Sequence, residues 1–344
     1  QGLDQSAVVS SNTNLAEALG IRRNFLDDPD TQDMLSGNLV PSSIKPVALV
    51  YSGHQFGVWA GQLGDGRALT LGEIDVSGEL WDLQLKGSGA TPYSRFADGR
   101  AVLRSSIREY LCSEAMNGLG IHSTRALCLI DSNTPVYRES VERAAIVCRV
   151  ARSHIRFGSF EHFHYRGAND MVKKLANYVI RRHFPSWKVG SEGYRKLFKN
   201  AVQETAKTIA RWQSVGFAHG VMNTDNMSIL GETIDYGPFG FIDTYDPMFI
   251  CNSSDSQGRY AFVNQPSIGL WNLNALANAF VSLVSPEELT SILQTYEPTF
   301  RREYFDLMAR KLGITDFIET DSELINRLLL ILAEEKVDYT NFFR

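Results

Sequence analysis

Long apolar runs are missing from this sequence of 344 residues. None approaches the roughly 18 consecutive apolar residues that are needed to span a bilayer. Residues 1–14 also lack a basic segment followed by an apolar one, which is the pattern of a secretory signal. The sequence therefore indicates neither a transmembrane segment nor a signal peptide, and we expect a soluble protein with no membrane partner.

Cysteine and positive charge are also scarce. The four cysteines, Cys112, Cys128, Cys148 and Cys251, are widely spaced and form no Cys-x-x-Cys pair. This excludes a zinc knuckle or a small disulfide scaffold, and it predicts core thiols in a reducing compartment. Lys and Arg total 34 against 39 Asp and Glu, so the net charge of −5 gives no reason to expect nucleic-acid binding.

The hydrophobic pattern changes along the chain. Residues 1–47 are predicted to be a lead-in that packs on a larger body, residues 48–150 to be rich in strands, and residues 151–344 to be mainly helical. A β-rich half joined to a helical half predicts an α+β fold with two lobes around a cleft. The predicted strands are Val47–Tyr51, Ala68–Glu73, Trp81–Lys86, Leu127–Asp131 and Ala144–Val150.

One helix is predicted within the strand-rich half. Ser105 and Ser106 could cap it, Ile107, Leu111 and Ala115 would share one face, and glycines would end it. Further helices are predicted at residues 169–183, 192–215, 271–284, 300–312 and 322–334.

Glycines cluster between two predicted strands. The segment Gly57-x-x-x-Gly61-x-x-Gly64-Asp-Gly66-Arg67 would let backbone amides approach a phosphate, and a guanidinium could fork onto its oxygens. The pattern is neither Gly-x-Gly-x-x-Gly nor a Walker A sequence, so an ordinary glycine-rich hairpin is the alternative.

Lys86 ends a predicted strand and Glu109 lies in the helix that follows. Kinase-like enzymes grip nucleotide phosphates with a strand lysine that a helix glutamate holds in place. The spacing permits such a pair. The alternative is a surface lysine and a solvated carboxylate.

A second motif follows in the order found in kinases. The interval from His219 to Asn226 matches that from His to Asn in the kinase catalytic loop, but Val221 occupies the position of the usual catalytic Asp. Asp235-Tyr-Gly comes nine residues after Asn226, as a variant of Asp-Phe-Gly that follows a predicted hairpin. Asn226 and Asp235 would supply oxygen ligands to Mg²⁺, which leaves Asp225 as the nearby base. An Asx turn closing a hairpin is the alternative.

Two arginines lie at the junction of the halves. Arg149 and Arg156 could clamp a terminal phosphate, although a surface ion-pair network would have the same composition. His162 and His164 could suggest a metal, but no third ligand stands near them in sequence, and we interpret them as surface residues of a strand or loop.

Taken together, these motifs resemble those of the selenoprotein O family, from Leu15 to the last residues. The resemblance implies a protein-kinase-like fold that holds ATP reversed, so that AMP passes to Ser, Thr or Tyr hydroxyls of proteins with Mg²⁺ or Mn²⁺. The segments that carry the resemblance are residues 51–60, 62–68, 81–89, 104–116, 153–158 and 219–230.

The resemblance implies roles for individual residues. Asp225 would be the proton acceptor, and Asn226 and Asp235 the metal ligands. The residues implied to bind ATP are Gly64, Gly66, Arg67, Lys86 with its partner Glu109, Asp98, Gly99, Arg149, Arg156 and Asp235, the two arginines taking the γ-phosphate.

Other interpretations stay open at this point. UMP transfer from UTP with Mn²⁺, ordinary γ-phosphoryl transfer and a non-catalytic nucleotide-binding scaffold are the rivals. Members of the family usually continue to a Cys-x-x-Cys or selenocysteine-containing tail, so the sequence looks C-terminally truncated. We expect a monomer, in the cytoplasm for a bacterial member or in mitochondria for a eukaryotic one.

Overall fold

The computed structural model describes residues 2–344 and divides the chain into two compact units. Unit 1 consists of the chain up to Gly53 together with Trp59–His162 and Thr233–Tyr236. Unit 2 consists of His54–Val58, Phe163–Glu232 and Gly237–Arg344. The predicted mixture of a strand-rich N-terminal part and a helix-rich remainder is confirmed. The domain boundaries after residues 47 and 150 stay predictions.

Unit 1 is built on an antiparallel sheet of six strands in the order β1-β7-β8-β5-β4, with β6 pairing with β8. The hairpin of β2 and β3 is separate from this sheet. The strands are β1 Ala7–Ser11, β2 Ser52–Gln55, β3 Val58–Gln62, β4 Ala68–Val76, β5 Glu79–Lys86, β6 Ala101–Val102, β7 Arg125–Tyr137 and β8 Val141–Ala151.

Most of the predicted strands form, and one prediction is wrong. Residues 47–51 contribute only a single bridge, from Val47 to Thr70 of β4. The following residues do not continue this pairing because their backbone groups bond to the glycine-rich segment instead: the Leu49 N–H donates to Asp65 Oδ2 at 3.1 Å, and the Tyr51 carbonyl accepts from the Leu63 N–H at 2.9 Å. The apolar side chains of the N-terminal segment, such as Leu15 and Leu35, join those of β7 and β8 in the main core of this unit.

The helix predicted in the strand-rich half is α3, Leu103–Gly118, which packs on β7 and β8. Its N-cap is Val102 and no side chain caps it, so the predicted serine cap is wrong. The predicted apolar face is wrong as well, since Ile107 and Leu111 are exposed. The buried face is largely polar and sulfur-containing, with Ser106, Glu109, Cys112, Ser113 and Met116.

Unit 2 is organised around a long helix, α6, which packs against α5, α7, α8 and α9. The predicted apolar stripe of α6 is confirmed, from Leu197 to Trp212. The remaining helices of the chain are α1 Thr13–Ala18, α2 Pro29–Leu35, α4 Phe157–His164, α5 Asn169–His183, α6 Ser191–Ser214, α7 Gln265–Phe280, α8 Pro286–Leu293, α9 Tyr296–Lys311, α10 Asp321–Glu334 and α11 Tyr339–Phe342.

Short elements carry the catalytic-loop motif of unit 2. Strands β9, Phe217–Ala218, and β10, Gly240–Phe241, pair with each other, and a 3₁₀ turn spans Thr224–Asn226. The hairpin predicted before Asp235 does not form as two strands: between β9 and β10, Met227, Ser228 and Thr233 are bridge residues, and Thr233 bridges to Ser123.

Two sequence expectations concern the whole chain. Within residues 2–344, no helix is long and apolar enough to cross a membrane. Cys112, Cys128 and Cys148 are buried, Cys251 is partly exposed, and all four are free thiols.

Candidate active site

Strand β5 presents a row of buried polar side chains on one face. Because side chains alternate along a strand, Asp82, Gln84 and Lys86 point the same way, and their exposed fractions are 8%, 0% and 8%. Trp81, Leu83 and Leu85 on the other face contribute to the apolar core. The strand therefore delivers three polar groups to the interior of unit 1.

The last of these groups forms the ion pair that the sequence suggested. The Lys86 Nζ lies 2.7 Å from Glu109 Oε2, and both side chains are buried. The alternative of a surface lysine and a solvated carboxylate is wrong. Glu109 lies on the polar face of α3, which explains why that face, rather than the apolar one, turns inward.

Asp235 is the carboxylate on which the buried cations converge. Its Oδ1 accepts hydrogen bonds from Lys86 Nζ at 3.4 Å and from Arg149 Nη1 at 2.5 Å. Its Oδ2 accepts a hydrogen bond from Arg156 Nη1. Asp235 has φ of 60°, in the left-handed region that Asp adopts more readily than most residues. We call this group, with Asp65, Gln84 and Glu109, the Asp235 cluster.

Electrostatics keep Asp235 ionised. Burial opposes the negative charge of Asp235, but Arg156, Lys86 and Arg149 outweigh it and hold the pKa of Asp235 well below its usual value. Burial lowers the pKa of Lys86, which Glu109 and Asp235 only partly offset. The cluster thus holds several full charges in a place that water hardly reaches, where their interactions are strong.

The two arginines are interior residues. Arg149 lies on β8 and Arg156 immediately precedes α4, and their exposed fractions are 2% and 1%. They belong to an ion-pair network, but a buried one rather than the surface network considered as an alternative. Arg149 Nη1 also reaches Glu109 Oε1 at 3.2 Å, and the Arg156 guanidinium lies 4.6 Å from the centre of the Tyr51 ring.

The turn that precedes Arg156 is fixed by a buried histidine. His154 is fully buried, and its backbone N–H donates to Asp82 Oδ2 at 3.1 Å. The Nδ1 of His154 lies 3.2 Å from the same oxygen. Asp82, the first polar residue of the β5 row, therefore anchors the segment that carries Arg156.

The glycine-rich loop is packed against a neighbouring segment of unit 1. A Cβ on Gly64 would lie 2.5 Å from the Tyr93 ring, and one on Gly66 would lie 3.0 Å from the Tyr93 carbonyl oxygen. Close packing therefore accounts for both glycines, whether or not a phosphate also approaches them. Arg67 is exposed and acts electrostatically on Lys86.

Asp98 and Gly99 belong to unit 1 and have structural partners of their own. Asp98 accepts two hydrogen bonds from the Arg138 guanidinium, at 2.8 and 3.0 Å, and one from the Arg100 N–H at 2.9 Å. The hydrogen bonds from Arg138 are the main reason that the pKa of Asp98 is lowered. Gly99 has φ of 69°, and a Cβ there would lie 2.2 Å from the backbone of Gly89.

The candidate base lies in unit 2, in the 3₁₀ turn. Asp225 is 6% exposed, and its Oδ2 accepts a hydrogen bond from Gln55 Nε2 at 3.2 Å. The two neighbours of Gln55 in the β2–β3 hairpin hold the rest of the turn, because the His54 N–H donates to Thr224 Oγ1 at 2.7 Å and the Phe56 N–H donates to Asn223 Oδ1 at 3.2 Å. The turn is thus tied to a segment that lies far away in sequence.

The neighbouring Asn226 is oriented by its own turn. Its Nδ2 donates to the Val221 carbonyl at 2.9 Å, so its Oδ1 is the oxygen that can serve a cation. His219 begins the motif in a buried position, where its ring stacks on Trp212. The Val221 N–H donates to His219 Nδ1 at 3.3 Å. Val221 occupies the position of the kinase aspartate. It contributes its backbone N–H and carbonyl to the turn rather than a side-chain carboxylate.

The donor set suits a hard cation. Asn226 offers an amide oxygen and Asp235 an ionised carboxylate, and Mg²⁺ is commonly held by one or two such protein groups plus phosphate oxygens. Residues 2–344 hold no group of three or more His, Cys, Asp or Glu side chains that could bind a metal without such help. Each of the two side chains, Asn226 in unit 2 and Asp235 in unit 1, thus has the oxygen donor that Mg²⁺ takes.

The interpretation of the two histidines as surface strand or loop residues is wrong. Both lie on α4, and His162 is 5% exposed, with its Nδ1 2.9 Å from Ser52 Oγ. Its neighbour His164 packs edge-on against the Tyr165 ring. These contacts give both rings a structural role.

Several site residues were missed by sequence reasoning. Gln84 and Asp82 carried a usable signal, since polar residues at every second position of an otherwise apolar strand mark a buried polar face. Asp65 lies between Gly64 and Gly66, where an acidic residue is also typical of an ordinary turn. Gln55 had no local signal, because its contact with Asp225 joins residues 170 positions apart.

Comparison with known proteins identifies the family of this sequence. The sequence matches the family described as "Protein adenylyltransferase SelO" over residues 1–344. A relative from Myxococcus xanthus named "Protein nucleotidyltransferase YdiU" is 52% identical over 339 residues, covering 98% of this chain and 69% of the relative. Relatives with the same name are 53% identical in Vibrio vulnificus strain YJ016, covering 100% and 70%, and in Yersinia pseudotuberculosis serotype O:1b, covering 96% and 68%.

These matches define an enzyme class, that of the protein nucleotidyltransferases. Within that class, the chain belongs to the protein adenylyltransferase SelO family.

Proposed function

We propose that this enzyme transfers AMP from ATP to the hydroxyl group of a Ser, Thr or Tyr side chain of a protein substrate. The acceptor oxygen attacks the α-phosphorus and gives up its proton, and the bond from the α-phosphorus to the bridging oxygen breaks. Pyrophosphate leaves with that electron pair. The observation that carries this proposal is the convergence of three buried cations, Lys86, Arg149 and Arg156, on the single carboxylate of Asp235.

A protein-kinase-like fold that holds ATP reversed would use these residues in the order in which they occur. The Lys86–Glu109 ion pair and the later positions of Asn226 and Asp235 support this proposal, because kinases place the equivalent groups in the same order. Residues 48–150 and 151–344 would then be its two lobes, with residues 1–47 as a lead-in.

The cations would bind the triphosphate. Lys86, directed by Glu109, would contact inner phosphates, and Arg149 and Arg156 would hold the terminal phosphate through forked hydrogen bonds. Charge stabilisation of this kind provides most of the acceleration in phosphoryl-group chemistry. We propose further nucleotide contacts at Gly64, Gly66, Arg67, Asp98 and Gly99.

Asp225 would accept the proton of the incoming hydroxyl. Its carboxylate accepts a hydrogen bond from Gln55, which orients the group. Val221 occupies the position of the usual catalytic aspartate and cannot take a proton, so Asp225 is the carboxylate of this turn that remains for the role.

Asn226 and Asp235 would hold Mg²⁺, or Mn²⁺ as the alternative. When bound, the cation would neutralise phosphate charge and polarise the phosphoryl group. Asp235 would have to exchange its hydrogen bonds with the arginines for this contact, and a terminal phosphate is the anion that could take its place beside them.

UMP transfer from UTP is the second candidate. The relatives carry the broader name of nucleotidyltransferase, which does not specify a nucleotide. The cations of the Asp235 cluster would bind phosphates, which ATP and UTP share, so they would serve either triphosphate.

Labelled nucleotides test the proposal. The protein is incubated with a protein substrate mixture and Mg²⁺ or Mn²⁺, in parallel with ATP labelled at the α or the γ position and with α-labelled UTP. We expect covalent label from α-labelled ATP only. Label from the γ position alone would refute nucleotidyl transfer, stronger labelling by UTP would favour the second candidate, and tight nucleotide binding without any labelling would indicate a scaffold.

A further inference from the structure

Gln84 is the one neutral side chain of the Asp235 cluster, and it is completely buried. Its Oε1 accepts a hydrogen bond from Arg149 Nη2. Its Nε2 donates to Asp65 Oδ2 at 3.2 Å and to Thr70 Oγ1 at 3.3 Å. All the polar atoms of this amide are therefore used, and they join a guanidinium to a carboxylate.

Asp65 continues this chain of contacts toward the second arginine. Its Oδ1 lies 3.9 Å from Arg156 Nη2, and its Oδ2 also accepts the Leu49 N–H at 3.1 Å. Asp65 is 2% exposed, so these contacts are shielded from water. A continuous path thus runs from Arg149 through Gln84 and Asp65 to Arg156.

Only an amide of this length satisfies both neighbours of Gln84. A leucine would leave the Arg149 N–H and the Asp65 oxygen without this bridge in a buried place, which is costly. A glutamate would place its charge beside Asp65 and would also neutralise Arg149. The neutral amide holds the guanidinium while leaving its positive charge for another anion.

The path lies on the side of the arginines that does not face Asp235. Arg149 uses Nη1 for Asp235 and Nη2 for Gln84, and Arg156 uses Nη1 for Asp235 and Nη2 for Asp65. In each guanidinium, Nη1 therefore binds the anion, and Nη2 contacts a second partner, which is Gln84 for Arg149 and Asp65 for Arg156. Gln84 and Asp65 would keep the two guanidinium groups in place when the anion bound at Nη1 changes from Asp235 to a phosphate.

We propose that Gln84 is a positioning residue that, together with Asp65, fixes the spacing of Arg149 and Arg156 for recognition of the terminal phosphate of a nucleoside triphosphate. This inference rests on the proposed function, in which the two arginines bind that phosphate. It extends the function to selectivity, because the Gln84–Asp65 pair then determines how strongly the enzyme prefers a triphosphate to a diphosphate.

The test compares ATP and ADP binding by calorimetry, in the same Mg²⁺ buffer, for the full chain and its variants. In Gln84→Glu we expect ATP affinity to fall about tenfold or more, the size expected when a charge-assisted hydrogen-bond network is disturbed, with a much smaller change for ADP. Asp65→Asn provides an independent second variant with the same expected loss of preference. The double variant Gln84→Glu/Asp65→Asn restores a donor and acceptor pair between the two positions at unchanged net charge, and should regain part of the preference.

Gln213→Leu is the matched control. Gln213 is a buried glutamine of unit 2 whose Nε2 donates to the Phe262 carbonyl at 2.7 Å. Its replacement should lower thermal stability and leave the ratio of ATP to ADP affinity unchanged, which separates positioning from general destabilisation.

The possible results distinguish failure of the positioning role of Gln84 from failure of the proposed phosphate binding by Arg149 and Arg156. An unchanged ratio of ATP to ADP affinity in folded Gln84→Glu and Asp65→Asn variants would overturn the positioning role. A wild-type protein with no preference for ATP over ADP would instead contradict the proposed role of the arginines. A loss of preference with Gln84→Glu that the double variant partly repairs would support the inference.

Discussion

The ammonium group of Lys86 lies 2.7 Å from the carboxylate of Glu109, and both side chains are buried in unit 1. A second ion pair of the same length, between Lys196 and Glu192 on α6, is exposed to solvent. The two pairs differ in environment rather than in geometry. Because the interior provides little screening, loss of one partner should matter far more for the buried pair than for the exposed one.

Glu109→Gln should therefore reduce both activity and stability. Lys86 and Arg149 would lose a buried counter-ion, and we expect the free energy of unfolding to fall by about 3 kcal/mol. The rate of AMP transfer should fall about 100-fold because Glu109 no longer orients the Lys86 ammonium group toward the phosphates. Chemical denaturation and labelled-ATP assays measure the two effects.

Glu192→Gln is the control for that variant. Because Glu192 is exposed, its replacement should change neither stability nor transfer measurably. Equal losses in the two variants would show that the buried pair has no special role.

Asp235→Asn should abolish metal-dependent transfer while leaving the nucleotide bound. Arg149 and Arg156 would lose the internal anion that occupies them, so ATP affinity measured in EDTA should stay the same or rise. Calorimetry and the transfer assay are compared on the same preparation. Normal turnover of the variant would remove Asp235 from the metal site.

Asp225→Asn should separate chemistry from binding. Loss of the proton acceptor is expected to slow transfer by about 10²- to 10⁴-fold, the usual range for general-base catalysis. Affinity for ATP should change little, because Asp225 is assigned to the acceptor hydroxyl and not to the phosphates. A variant that weakens ATP binding as much as turnover would argue against the assignment.

The cysteines should differ in reactivity toward iodoacetamide at pH 8. Burial raises the pKa of the Cys112 thiol to about 12. A hydrogen bond with Cys128, together with burial, raises the pKa of Cys148 well above its usual value. Only the thiolate reacts, and at pH 8 a thiol of pKa 12 is ionised in about one molecule in ten thousand, against about a quarter of molecules for an ordinary thiol.

Peptide mass spectrometry should accordingly find the adduct at Cys251 in the native protein and at all four cysteines after unfolding. Raising the pH toward 9 increases the thiolate fraction but should not produce adducts at the three buried positions. Cys112→Ala should retain nearly full transfer activity. Modification of Cys112 in the folded protein would contradict its burial in α3.

The sequence predicts those features that depend on local periodicity. The stripe of α6 and the alternation of β5 follow from spacing, and both form as expected. Helix α3 shows where this reasoning fails, because its exposed Leu111 and buried Glu109 reverse the usual preference. Glu109 lies inside because its carboxylate pairs with Lys86 and Arg149, and these partners come from distant strands that the spacing within α3 does not reveal.

Contacts between distant segments are the part of the site that local patterns do not reveal. Lys86 and Asp235 are 149 positions apart, and Gln55 and Asp225 are 170 apart. The motif order suggested which residues act together, but it did not identify Gln84 or Asp65. Their roles depend on hydrogen bonds that arise only when β5, β8 and the glycine-rich loop have packed.

A crystal structure with a non-hydrolysable ATP analogue and Mg²⁺ would test the central claim most directly. The account predicts that the γ-phosphate accepts hydrogen bonds from both Arg149 and Arg156, which then no longer share the carboxylate of Asp235. A γ-phosphate remote from both guanidinium groups, with Asp235 still paired to them, would contradict it.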